Sequence, residues 1–245
     1  MEFALKIAVL SLIVAAGLAA PALADFTVEE ASFAGAQSFD WSSGAWSNGG
    51  GSSNFEGVAY DSTTLPIGNA TSSTDLAAIY GDQTNMVGTG IVDAFKFTVF
   101  CSGSSAANLT SATQNISFFR GGDGSYLGGF TVSLGALAKG FYTTITVTSL
   151  ASLGINLDVS NVVVTQQLTN VVGATRMGTV LSFANSPMTG SSNNGFFASS
   201  ATTTAGYYLL SGQTFSNIWY QTTLVPTPGA FALLGLAGLA SRRRR

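Results

Sequence analysis

The chain has 245 residues, of which 46% are hydrophobic and only 9% charged, with no histidine, one cysteine and a formal charge of −3. This composition excludes Ser-His-Asp and Cys-His catalysis, zinc held by His or by several Cys, and an intrachain disulfide. Low charge with 46% hydrophobic residues also excludes a disordered chain, and no basic patch is present in the body to grip nucleic acid.

The first 25 residues read MEFALKIAVLSLIVAAGLAAPALAD. Lys6 precedes an apolar run over residues 7–20, and Ala22-Leu23-Ala24 follows. A charged start, an apolar middle and a small-x-small site, in that order, make a secretory signal peptide. The run is shorter than the roughly 20 residues that span a bilayer. Signal peptidase is expected to cut after Ala24, leaving Asp25 first, so residues 1–24 are a helical export signal.

Residues 25–224 are then one extracytoplasmic domain, long enough to bury a core. Setting aside Glu2, Lys6 and the last four residues leaves four cations and eleven carboxylates, a formal charge near −7. Period-two alternation predicts strands. In Phe95-Lys96-Phe97-Thr98-Val99 the Phe and Val positions share one face. In Thr144-Ile145-Thr146-Val147-Thr148 the Ile and Val point inward and the three Thr outward. Further strands are expected over residues 55–60, 115–119, 126–134, 162–168, 178–183, 207–210 and 215–224. Residues 120–125, 186–195 and 211–212 are turns, and the Gly-rich 121–124 and 128–129 flank a hairpin. Residues 134–137 and 150–153 are no more than helical turns. The expected fold is all-β, a single antiparallel β-sandwich of jelly-roll-like kind.

Residues 39–55, FDWSSGAWSNGGGSSNF, stand apart as a Gly/Ser-rich loop carrying Trp41 and Trp46. With Phe55 they would form an aromatic platform for sugar rings, with Asn48 or Asn54 bonding hydroxyls. The alternative is a loop folded back over the sandwich edge, where indoles bury a large apolar area. Asp40 and Glu56 flank this loop and would serve a two-carboxylate glycoside hydrolase if correctly spaced. Asp123, Asp61, Asp75, Asp82 and Asp93 are candidate calcium ligands, but no stretch has the dense acidic spacing of a calcium loop, and Asp is also a turn residue. No metal or cofactor is assigned. Asn69, Asn108 and Asn115 begin glycosylation triplets, read here as surface turns. Cys101 ends an apolar strand and is expected to be a buried small hydrophobe, with an intermolecular bridge or lipid site as the alternative.

The chain closes with VPTPGAFALLGLAGLASRRRR. Pro226, Pro228 and Gly229 break regular structure, residues 230–240 are apolar, and Arg242, Arg243, Arg244 and Arg245 follow. The apolar run is short for a span, and the arginines would stay on the cytoplasmic side. Val225, Pro226, Thr227, Pro228 and Gly229, the apolar helix and the Arg cluster together resemble a PEP-CTERM sorting tail, with Thr227 where that family usually has Glu. The resemblance covers about the last twenty residues, 225–245. It implies recognition by an exosortase-like enzyme, transient anchoring in the inner membrane, removal of the tail and an exopolysaccharide-making Gram-negative host. The expected protein is a non-enzymatic component of the envelope or extracellular matrix, associated with exopolysaccharide. Alternatives are a secreted two-carboxylate carbohydrate-active enzyme and a calcium-dependent adhesion module.

Overall fold

The structure is a computed structural model that describes residues 26–48, 57–63, 67–182, 187, 189–193, 195–209 and 216–225. The signal residues Ala22, Ala24 and Asp25, and the tail from Pro226 onward, lie outside the described residues, as do Phe55 and Glu56.

The first strands in the chain are β1 (Phe26–Glu29), β2 (Ser32–Asp40), β3 (Ala45–Asn48), β4 (Val58–Asp61), β5 (Ile67–Ser73) and β6 (Ile79–Asn85). Next come β7 (Gly90–Cys101), β8 (Ser111–Arg120), β9 (Tyr126–Leu134), β10 (Phe141–Thr148), β11 (Asn156–Leu157) and β12 (Asn161–Val172). The last are β13 (Met177–Ser182), β14 (Ser191–Ser192), β15 (Phe196–Ser199), β16 (Gly206–Tyr208), β17 (Asn217–Ile218) and β18 (Tyr220–Val225). A single 3-10 turn, Leu150–Leu153, is the helical element among the described residues.

The strands make two sheets, so the described part of the chain is all-β. One runs β1-β5-β13-β7-β10-β2-β3, with β18 on β7, β4 on β18, β17 on β13 and β11 on β7. The other runs β16-β15-β6-β12-β8-β9, with β14 on β6. Each named strand pair is antiparallel except one: β2 lies parallel to β10, with Ser32 beside Phe141 and Asp40 beside Thr148. A wholly antiparallel fold was expected. The exception arises because β2 follows β1, which sits at the opposite end of the same sheet, so no hairpin fixes its direction. A bulge between Tyr142 and Thr143 falls opposite Gly35, whose φ of 153° suits a residue without Cβ.

The long strand β7 organises the first sheet. Phe95, Phe97, Val99 and Cys101 belong to the main core, while Lys96, Thr98 and Phe100 alternate to the other face. One edge of β7 pairs with β10 over Phe95–Cys101. Its other edge changes partner, from β18 at Phe97 to β13 at Phe100. Thr98 and Thr179 close that fork. Their hydroxyls lie 3.2 Å apart, and the Val180 amide donates to Thr98 Oγ1 at 3.2 Å.

Side chains from both sheets meet in one core. Phe95 sits at its centre, edge-on to Phe118 at 5.7 Å and to Phe130 at 5.9 Å, and stacked on Tyr220 at 5.5 Å. Edge-to-face and offset geometries of this kind add about 0.5–1.5 kcal/mol per pair beyond area burial. The alternation read in β10 holds, since Ile145 and Val147 are core residues. The opposite face is not a wet surface, however. Thr144 and Thr146 are buried there, and Ala70, Phe100, Tyr142, Val180 and Trp219 form a second apolar cluster.

Several strands had no clear signal in the sequence. β3 and the end of β2 fall in the stretch read as loop, residues 39–55, and the rest of β2 was assigned no element: Asp40 ends β2, residues Trp41 to Gly44 make the turn, and Ala45 begins β3. Small residues hide the period in β2, and its half-buried position at the sheet margin weakens the contrast between faces.

Candidate functional site

The β2–β3 hairpin closes on one carboxylate. Asp40 Oδ1 accepts from the Ser42 amide at 2.9 Å and the Ser42 hydroxyl at 2.8 Å, and the Gly44 amide donates to the Asp40 carbonyl at 2.8 Å. Gly44 has φ 68°, the left-handed conformation that a tight turn places on glycine. The Trp41 amide donates to the Thr148 carbonyl at 3.0 Å, which fastens the turn to the end of β10.

This turn sends the two tryptophans to different fates. Trp41 is partly buried, packs on the main core and meets Phe130 of β9 edge-on at 6.0 Å. Trp46 stands opposite Phe39 in the β2–β3 register, its ring 5.1 Å from that of Phe39, and remains 41% exposed. Phe39 touches both, with Trp41 edge-on at 6.0 Å. A column of rings therefore runs from Trp46 through Phe39, Trp41, Phe130 and Phe95 to Tyr220 and Tyr60. The column ties Trp46 to the core through Phe39. β3 ends its sheet among the described residues, so its outer backbone groups are unpaired there. Asn48 is the last residue of β3, and Asn54 lies outside the described residues.

No family model matches the sequence, and neither the curated proteins nor the solved structures give a match.

The carboxylates singled out in the sequence are dispersed. The hydroxyl of Ser42, ahead of its other hydrogen bonds, holds the Asp40 carboxyl down to about 2, so this group stays ionised and is no proton donor near neutrality. Glu56, its proposed companion, is outside the described residues. Asp123 makes a turn, accepting from the Ser125 amide at 2.9 Å, and that bond lowers its carboxyl. Asp75 accepts from the Ala77 amide at 3.0 Å and the Ala201 amide at 2.6 Å. Asp61 binds Thr63 through both its amide and hydroxyl at 2.7 Å, and accepts from Gln221 Nε2 at 2.8 Å. Asp93 lies partly buried on β7. Asp82, wholly buried on β6, is the exception: burial raises its carboxyl well above the usual range, against the opposing pull of the Gln83 and Ile218 backbone amides.

Cys101 is fully buried in the main core, with Sγ 3.9 Å from the Ala107 carbonyl, and burial raises its thiol. It is the small buried hydrophobe of the first reading. The glycosylation triplets start at Asn69 and Asn115 within strands and at Asn108 on an exposed connection. Of the sorting motif, only Val225 is described; it ends β18, paired with Ile91. Pro226, Thr227, Pro228, Gly229 and Arg242 to Arg245 fall outside the described residues.

One grouping was not foreseen. Lys96, Trp219, Gln221 and Thr146 come together on the outer face of the first sheet. The only hint in the sequence is a single lysine inside an otherwise apolar run.

Proposed function

We propose that this chain is a non-enzymatic, exported protein of the envelope or extracellular matrix of a Gram-negative bacterium. Its amino-terminal signal directs export. Its PEP-CTERM-like tail holds it briefly in the inner membrane and is then removed by an exosortase-like enzyme. The body between the two address sequences is a β-sandwich that contacts exopolysaccharide.

Trp46 carries the polysaccharide part of this reading. An exposed indole, buttressed from below by Phe39 at 5.1 Å, is a preorganised flat apolar surface at a sheet edge. Such a surface stacks on the apolar face of a sugar ring without first paying to order itself. The export part rests on the two terminal sequences.

The test has two steps. Intact mass is measured on protein from each fraction of its own host. An extracellular form that begins at Asp25 and ends near Pro228 is expected, and a full-length form confined to the inner membrane would remove the matrix reading. Cosedimentation with host exopolysaccharide then compares the natural protein with Trp46→Ala, which is expected to lose at least ten-fold in retention.

A further inference from the structure

At one side of the sandwich the first sheet reaches past the second. β9 is the last strand of the second sheet, and its Phe130 meets Trp41 at the end of β2. β3, the next strand out in the first sheet, is exposed along its whole length. Gln37 and Phe39 share the core-facing side of β2, and register sets Asn48 of β3 opposite Gln37 and Trp46 opposite Phe39. Residues two apart on a strand lie about 7 Å apart on one face, and opposed residues have Cβ atoms about 4.5–5.5 Å apart. Two side-chain amides therefore stand beside the exposed Trp46 ring, on its own face of the sheet. Neither the Gln37 nor the Asn48 amide makes a hydrogen bond among the described residues.

An open cleft begins at Gln37. Val99, Leu109, Leu134 and Ile145 are its buried lining. Gln37 and Thr143, both half-buried, stand with the exposed Gly135 where it meets solvent. Gln37 lies beside Ile145 in the β2–β10 register, and Thr143 is two residues from Ile145 on the same face. Counted out through its mouth, the cleft spans about 310 Å³, at the low end for a small-molecule pocket, so it takes a substituent while a sugar ring stays outside. No charged side chain lines it, and the body carries a formal charge near −7, which disfavours an anionic chain.

An apolar lining behind two polar side chains fits a methyl group joined to a polar linkage. We propose that the cleft takes the acetamido group of a neutral, N-acetylated sugar whose ring lies on Trp46. The methyl group enters among Leu109, Leu134 and Ile145. Gln37 Nε2 donates to the acetyl carbonyl, Thr143 Oγ1 accepts from the acetamido N–H, and Asn48 meets a ring hydroxyl. The inference rests on the polysaccharide reading and narrows it to chains that carry N-acetyl groups. One buried methyl group and two hydrogen bonds support a preference of at least ten-fold over the same sugar without the substituent.

The test titrates the full chain, in mild detergent, with chitohexaose and with cellohexaose, whose rings carry a hydroxyl in place of the acetamido group. The natural protein is expected to bind chitohexaose at least ten-fold more tightly. Gln37→Met keeps the side-chain length and removes the amide, so it is expected to lose most of that preference and keep its affinity for cellohexaose. A Cβ on Gly135 would meet nothing within 4 Å, so Gly135→Leu is expected to keep the melting temperature while closing the mouth and abolishing the preference. Trp46→Ala is expected to weaken binding of both oligosaccharides. Equal affinity for the two, or a preference that both cleft variants retain, would overturn the inference. Equal affinity that is lost in Trp46→Ala would do so while leaving the broader polysaccharide reading in place. Binding of neither oligosaccharide would also overturn it, and Trp46-dependent retention of host exopolysaccharide would then decide the broader reading separately.

Discussion

The rings of Tyr60 and Tyr220 stack at 4.5 Å, and the Tyr220 hydroxyl lies 3.1 Å from Thr84 Oγ1. Thr84 and Asp82 share the inner face of β6, so this tyrosine pair forms part of the apolar wall around a buried carboxyl. Burial raises Asp82, and Tyr60 and Tyr220 are both raised by burial and by that same carboxyl, so they stay neutral. Tyr207, on the same sheet, is likewise raised above the usual tyrosine value, by burial and then by that carboxyl.

This arrangement sets a pH dependence. The unfolded chain releases the Asp82 proton near pH 4, while the folded chain keeps it to higher pH. Between those values unfolding releases a proton, so stability falls as pH rises, by about 1.4 kcal/mol for each unit of difference. Asp82→Asn removes the titration and keeps the shape. It is expected to leave the melting temperature unchanged below pH 4 and to raise it at pH 7–8. Thermal melts across pH 3–9 check this. A parallel pair of curves would show that Asp82 is ionised in the fold.

The two tryptophans separate packing from contact. Trp41→Ala removes a ring that touches both Phe39 and Phe130, and is expected to cost about 2–4 kcal/mol in urea unfolding. Trp46→Ala removes a 41% exposed ring and is expected to cost under about 1 kcal/mol while abolishing most polysaccharide retention. Loss of retention in Trp41→Ala alone, with the fold intact, would reverse these roles.

How much of this was legible in the sequence depends on the range of the interaction. The face assignments in β7 and β10 were legible because alternation is local: Phe95 and Phe97 point one way, Lys96 and Thr98 the other. The Asp123 turn was legible for the same reason. The sequence could not show that Thr144 and Thr146 would be buried on the far face, because that depends on what else the sheet carries. It placed Trp46 as a candidate contact, but Trp41 and Trp46 diverge only through the hairpin that β2 makes beside β10. The row joining residues 221, 96 and 146 was invisible, since register between strands so far apart in the chain is set by the whole sheet.

Cys101 gives a prediction about access. Its thiol is fully enclosed and raised by burial, and thiolate is the reactive form. In native protein it is expected to react with a thiol-specific disulfide reagent at least a hundred-fold more slowly than in urea. Rapid native labelling would show that the end of β7 opens readily and would revive an intermolecular bridge.

Gly178 tests the seam between β13 and β5. A Cβ on this residue would fall on the Thr71 carbonyl, with the Ser72 Cα close behind. Both obstacles are backbone, so no side chain can swing away to relieve the clash. Gly178 also pairs with Ser72 and Phe100, which makes it the link between β5 and β7 at that level of the sheet. Gly178→Ala must therefore push β13 from one neighbour or the other, and overpacking of this kind costs about 1–3 kcal/mol or more. The expected result is a fall of several degrees in melting temperature, with hydrogen exchange in Val180 and Leu181 quickened more than in β12 of the other sheet. An unchanged melting temperature would mean that β13 and β5 lie further apart than this packing allows.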